Sequence, residues 1–452
     1  MIAPARIAAY EILRRIAKGR SDLPAAVAAV RDTLEDERDR ALATDIAVGT
    51  VRWQAALDFL IADAARRPIA KLDPEVVDIL RLSLYQLLHL TRVPASAVVD
   101  DGVQLTKKVG KKSASGFVNA VLRKVSRTRT ALPFPPRPAN ATDRDAALAF
   151  LSVTLSHPRW LVERWLDRVG FARAEAWARF NNEPAPLTIR ANHRRTTRDA
   201  LLERLTEAEV DARAARYAPD GIVVDRGSLR DDTWRGAFVV QDEASQLVTL
   251  LAGASPGARV LDTCASPGGK TTAIAATLGE GALLVACDVR PRRMALLRDT
   301  VAATGVTNVR LVQADLTQPL PFAPVFSTVL VDAPCSGLGT LRRDPDIRWR
   351  RTAEDLPALA AAQQRMLANA AAVVAPGGRL VYATCSSEPE ENEQVAAAFL
   401  TRHGDFAPVR ADMAHPSLHA ELVDRAGHLR TEPDRHGLEL FFGAVFERAR
   451  QL

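Results

Sequence analysis

Cysteine is scarce in this chain: Cys264, Cys287, Cys335 and Cys385 are the only four among 452 residues. No two form a C-x-x-C pair, so the pattern indicates neither a zinc site nor a disulfide framework, and a reducing compartment fits. Aromatic residues are also few, at 5%, which leaves the core to alanine and the branched aliphatics. No stretch approaches the ~18 uninterrupted apolar residues of a membrane span. The first twenty residues lack an apolar h-region and include Glu11, so they read as a first helix and not as a signal peptide. These absences predict a cytoplasmic protein with no bound metal and no membrane partner.

What is present is an ordinary globular composition, 47% hydrophobic and 25% charged, over enough residues for two or three domains. The net charge of +6 is mild but unevenly spread. Residues 101–130 hold Lys107, Lys108, Lys111, Lys112, Arg123, Lys124, Arg127 and Arg129 against Asp101 alone, a local +7 (8 − 1). A solvated helix face accounts for such a run. So does a surface that meets phosphates, and on that reading Lys107, Lys108, Lys111, Lys112, Arg123 and Lys124 are the candidate phosphate contacts.

Residues 1–130 read as an all-α bundle. Ala9, Ile12, Leu13 and Ile16 form an apolar stripe at helical spacing, and Asp73-Pro74-Glu75 is a helix start with Val76, Leu80, Leu84, Leu87 and Leu88 behind it. A proline-rich stretch at 131–143 reads as a semi-rigid linker. Residues 144–245 look like an α+β subdomain, with Trp160 and Trp165 on a buried helix side and PLTIRAN as a strand. From 246 to 452 strands and helices alternate, which predicts an α/β doubly wound, Rossmann-like domain with a parallel sheet. In such sheets ligands sit at the carboxyl ends of the strands.

Those ends carry the chemistry. The first strand runs into Cys264-Ala265-Ser266-Pro267-Gly268-Gly269-Lys270, whose paired glycines let backbone approach a ligand and open a helix. The loop matches neither G-x-G-x-x-G nor a P-loop, so the ligand need not carry phosphates. Asp288, Asp315 and Asp332 close the next three strands. An acid at the Asp288 offset suits ribose hydroxyls. Three acids around a nucleoside with a cationic tail point to S-adenosylmethionine as cofactor, with adenine near Asp315.

Two thiols stand at neighbouring ends, Cys335 in VLVDAPCSGLG and Cys385 in VYATCSSEPEEN. Oxygen and nitrogen acceptors need no thiol for methyl transfer. Carbon 5 of a pyrimidine does, because a thiolate adding to carbon 6 makes carbon 5 nucleophilic. Asp332 could then share a proton with ring nitrogen N3, its burial suiting it to that role. The base itself must be unpaired or flipped out.

LDTCASPGGKT, ACDV, VDAPCSGLG, RRDPDIRW and VYATCSSEPEEN, with NNEPAPLTIRAN and VQDEASQL upstream, resemble the motif series of the Sun-type RNA cytosine-C5 methyltransferases. DRALATDIAVGTVRW, LRLSLYQLLHL and SGFVNAVLRKV resemble the NusB RNA-binding domain. The pairing is similar to the RsmB (Sun) family of bacterial 16S rRNA methyltransferases and spans nearly the whole chain. The resemblance implies that residues 264–270, Asp288, Asp315 and Asp332 bind S-adenosylmethionine. It makes Cys385 the nucleophile and Cys335 the group that assists product release. The implied substrate is a cytosine in 16S rRNA, free or in an assembling subunit. The same chemistry on tRNA or another RNA, and a catalytically inert RNA-binding assembly factor, are the alternatives. Two departures stand out: Ser266 where the family loop has alanine, and Glu439-Leu440 where it commonly has Asp-Gly.

Overall fold

The computed structural model describes residues 2–91, 93–229, 232–279 and 281–450. They fall into two units: Met1–Pro184 with Leu341–Ala353, and Ala185–Thr340 with Glu354–Leu452. Among the described residues no helix is long and apolar enough to cross a membrane.

The first unit is helical, with helices Pro4–Ala17, Leu23–Arg31, Glu37–Arg52, Gln54–Ala65, Pro74–His89, Ala95–Lys108 and Ser115–Thr128. Asp73 caps the fifth by accepting the Glu75 amide, with Pro74 in the first turn. Ile12, Ile46, Leu57, Leu80, Leu84 and Leu122 fill the core. The proline-rich stretch belongs to the same unit rather than hanging free. Phe134 packs on the helical core, Thr154 Oγ1 donates to the Pro135 carbonyl at 2.7 Å, and Arg137 pairs with Glu175. Helix Arg159–Asn182 kinks at Gly170 and buries Trp165 edge-on against Trp177 at 5.6 Å. Trp160 is only half-buried. Of residues 144–245, helices Arg144–Ala149 and Arg159–Asn182 lie in the first unit, and the strands with helix Arg198–Glu207 lie in the second.

The segment 341–353, from the RRDPDIRW motif, also belongs to the first unit. Arg348 is fully buried there. Its guanidinium donates to the carbonyls of Arg52, Ser156, Asn181 and Leu341 and to Asn182 Oδ1. Burial and the neighbouring Arg52 charge pull its pKa down to about 9. Trp349 Nε1 donates to the Val51 carbonyl at 2.7 Å.

The second unit has two sheets. Strands β1 (Leu187–Ala191), β2 (Asp211–Ala214), β3 (Gly221–Arg226) and β4 (Phe238–Val240) form an antiparallel sheet in the order β2-β3-β1-β4. The larger sheet comprises β5 (Arg259–Asp262), β6 (Leu283–Asp288), β7 (Val309–Gln313), β8 (Phe326–Asp332), β9 (Val374–Thr384), β10 (Phe406–Val409), β11 (Leu429–Arg430) and β12 (Phe442–Arg448). Its order is β10-β12-β9-β8-β5-β6-β7, with β11 on β12. Strands β5 to β9 are parallel, as expected. The sheet as a whole is mixed, because β12 returns antiparallel to β9 and takes β10 on its far side. The last helix before β9 ends at Ala371, and VAPGG begins the strand. The extra residues are absorbed by a register shift opposite Phe326 and Thr328.

Candidate active site at the strand ends

Strand order brings β6, β5, β8 and β9 side by side, so the residues that follow them share one rim. The loop after β5 turns into helix Gly269–Leu278 through Gly268, whose φ of 112° disfavours any side chain and where a Cβ would sit tightly, 3.0 Å from Leu297 and 3.1 Å from Thr300. Arg293 holds this loop from outside, donating to the Ser266 carbonyl at 2.9 Å and to Asp288 Oδ2 at 3.1 Å. Asp288 is buried and also accepts the Ser266 and Val289 amides. Asp315 differs: it is exposed, lies two residues beyond β7, and accepts the Thr317 amide and hydroxyl in a tight turn. Those bonds hold its carboxyl below the usual range.

Asp332 was expected to be buried. It is partly exposed, and its Oδ2 takes the Lys270 ammonium at 2.7 Å. The reason is its place at the open end of β8, opposite the first turn of the helix that carries Lys270. Burial pulls Lys270 down, but Asp332 more than offsets this and its pKa ends above the ordinary lysine value. Lys270 also faces the Phe441 ring at 5.8 Å.

Asp262 was not singled out by sequence, although it ends β5 immediately before the loop. It is fully buried. Thr271 donates to its Oδ2 at 2.7 Å, and Oδ1 has no hydrogen-bond partner among the described residues. Burial lifts its pKa to about 7, against the Thr271 hydrogen bond.

Cys335 and Cys385 meet at the centre of the rim, sulfur to sulfur at 3.2 Å. The contact with Cys335, together with burial, raises Cys385 well above an ordinary thiol, while Lys270 acts the other way. The Cys335 and Cys385 loops are stitched to the C-terminal segment. Gly339 N donates to the Cys385 carbonyl at 2.9 Å, and Leu440 N donates to the Gly339 carbonyl at 3.1 Å. A Cβ on Gly339 would lie 2.0 Å from the Leu440 oxygen. Leu440, standing where a glycine is common, is buried with its backbone in this ladder. Burial pushes the remaining thiols up as well, Cys287 to about 12 and Cys264 higher still.

In the helical unit the basic run is reorganised by partners far away in sequence. Lys111 pairs with Asp73 and Glu75, and Lys124 with Asp63. Lys107, Arg123 and Arg127 line a groove of ≈ 540 Å³ between helices Ala95–Lys108 and Ser115–Thr128, with Ser96, Ser115 and Asn119 between them.

Residues 248–447 match the family model described as 16S rRNA methyltransferase RsmB/F. Residues 3–127 match the NusB family, and 157–229 the ferredoxin-like domain of RsmF/B-like methyltransferases. Ribosomal RNA small subunit methyltransferase B of Pseudomonas putida is 37% identical over 88% of this chain and 89% of its own. The chain belongs to the RsmB/F family of 16S rRNA methyltransferases. A Bacillus subtilis protein named "Probable ribosomal RNA small subunit methyltransferase B" is 31% identical over 90% of both chains. Among solved structures, PH0851 is 26% identical and covers 99% of each chain with a TM-score of 0.80. A methyltransferase homologue from Pyrococcus horikoshii, also 26% identical, covers 67% of this chain and 99% of its own at a TM-score of 0.57.

Members of this family depend on S-adenosylmethionine, and the donor set fits it. A buried carboxyl oxygen without a partner suits an ammonium, a glycine turn admits close backbone contact, and the acids at the strand ends suit hydroxyls and positive charge. The same rim can do thiol chemistry, since one sulfur adjoins both a cation and a second sulfur.

Proposed function

We propose that this protein methylates carbon 5 of a cytosine in small-subunit ribosomal RNA, with Cys385 as nucleophile and Cys335 assisting product release. The observation that carries this reading is the 3.2 Å contact between the two sulfurs beside the Lys270–Asp332 pair. The RNA substrate is supported by relatives named for small-subunit rRNA methylation and by the NusB match.

S-adenosylmethionine supplies an electrophilic methyl group on a positively charged sulfur. Residues 264–270 with Asp288, Asp315 and Asp332 would hold it, and Asp262 would meet its amino group. Cys385 must first lose its proton, which Lys270 favours and burial opposes. Its sulfur would then bond carbon 6, and the carbon 5–carbon 6 electron pair would take the methyl group, whose old bonding pair stays with the donor sulfur; Asp332, with the Lys270 ammonium it pairs as proton source, would share a proton with N3 as charge builds on the ring. Transfer of the carbon 5 proton to a base, a role the Cys335 thiolate would fill, restores the double bond, and the carbon 6–sulfur electron pair leaves with Cys385 as its thiolate. Cys335, in contact with that sulfur, assists this release. The Lys107–Arg123–Arg127 groove would bind RNA backbone, its three cations set for phosphates.

The test is a pair of substitutions assayed on 16S rRNA with labelled methyl donor. Cys385→Ala should transfer no methyl group. Cys335→Ala should accumulate a protein–RNA adduct that survives denaturing electrophoresis. An adduct formed in Cys385→Ala would reverse the two roles, and active Cys385→Ala would end the covalent scheme.

A further inference from the structure

Each catalytic cysteine is followed by a serine, Ser336 and Ser386, and both serines are buried at 1% and 2% exposure. They converge on one fully buried carboxylate, Glu391, in the short turn Pro389–Glu391 after β9. Glu391 Oε1 accepts the Ser336 amide at 2.8 Å and Gln363 Nε2 at 2.9 Å. Its Oε2 accepts the Ser386 hydroxyl at 2.6 Å. The two serine hydroxyls also touch at 3.0 Å. Gln363 extends the bridge by donating to the Pro334 carbonyl at 3.0 Å. The Glu391 backbone is fixed in turn, its carbonyl accepting the Tyr382 hydroxyl at 2.6 Å.

We infer that Glu391 is a positioning residue that ties the Cys335 loop to the Cys385 loop and sets the spacing of the two sulfurs. The inference rests on the proposed division of labour between those thiols. One oxygen holds the backbone directly after Cys335, and the other holds the side chain directly after Cys385. β8 and β9 are paired as far as Asp332 and Ala383, and Gly339 N bonds the Cys385 carbonyl, but the contact between the sulfurs themselves is a single weak S–H bond. A carboxylate suits this place because it accepts at both oxygens, and such charge-assisted bonds are the strong ones. Glutamine keeps the shape, but its amide nitrogen would turn a donor toward Ser386. Ser386 Oγ already accepts the Glu388 amide at 3.1 Å.

The experiment uses Glu391→Gln and Glu391→Ala in the full chain. Spacing is read with phenylarsine oxide, a trivalent arsenical that condenses with two adjacent thiols and releases water. Wild type should bind one arsenical across Cys335 and Cys385, and Cys335→Ala should not. Glu391→Gln should weaken arsenical binding and kcat together by about tenfold, and Glu391→Ala by about a hundredfold, in line with one or two charge-assisted hydrogen bonds. The Kd for S-adenosylmethionine should stay within about twofold, because Glu391 does not reach the cofactor loop. Wild-type kcat in both variants overturns the proposal. So does lost activity with unchanged arsenical binding, which would mark a general loss of stability. Failure of the Cys335→Ala adduct to form would instead count against the cysteine chemistry, since the arsenical measurement needs no RNA.

Discussion

The cysteine loops and the basic run of the helical unit are both dense in reactive or charged side chains, and they are held in different ways. In the loops the partners are local to the rim: Glu391 spans Ser336 and Ser386, and Lys270 meets Asp332. In the basic run, Lys111 and Lys124 are claimed by acids of earlier helices, and three cations remain along a groove. Bond-making requires atoms placed to within fractions of an ångström. Phosphate binding requires charge within reach and tolerates loose geometry. One substitution at the rim should therefore cost far more than one in the groove.

The strongest way to break that contrast is Lys270→Met. It removes the cation that favours the Cys385 thiolate, so turnover should fall by about 10²-fold or more, with the rising limb of the pH–rate profile moved to higher pH. A profile that keeps its position would detach Lys270 from the thiol. Gly339→Ala comes next. Its Cβ cannot coexist with the Leu440 oxygen, and overpacking of this kind costs about 1–3 kcal/mol. Melting temperature should drop and activity fall with it, whereas Gly339→Ala with native activity would show the ladder to be soft.

Asp262→Asn should act with opposite signs on binding and stability. The folded pKa of about 7 lies above the ordinary carboxyl value, so the stability cost is absent below that value, grows as pH rises toward 7 and levels off above it. Asparagine should therefore melt higher than wild type at about pH 8. Wild-type affinity for S-adenosylmethionine should rise roughly tenfold per unit as pH climbs toward 7, and Asp262→Asn should lose that dependence in calorimetric titrations. A pH-dependent asparagine variant would place the titrating group elsewhere.

The groove gives the smallest effects. Neutralising Lys107, Arg123 and Arg127 together should weaken RNA binding and lower the salt slope by about 2 to 3. Lys111→Ala, already paired with Asp73, should leave affinity within about twofold. Equal losses from both would return the whole run to one undivided surface.

Much of the site was readable in one dimension because strand ends are local events. An apolar run that stops at Asp288 or Asp332, or runs into a Pro-Gly-Gly turn, announces its own place in a parallel sheet. The pairing of Asp332 with Lys270 was not readable, since the two stand 62 residues apart. Nor was the membership of Arg348 in the helical unit, where it bonds the Arg52 carbonyl across 296 residues.

The sequence by itself determined the alternation of strands and helices, the glycine turn, and two thiols at successive strand ends, because each is written in a contiguous stretch. Tertiary structure alone decided which lysines of the basic run pair with acids of earlier helices, that β12 returns antiparallel to β9, and that one carboxylate joins both cysteine loops. Those outcomes depend on which distant groups come within hydrogen-bonding distance, and spacing along a chain does not encode distance across a fold.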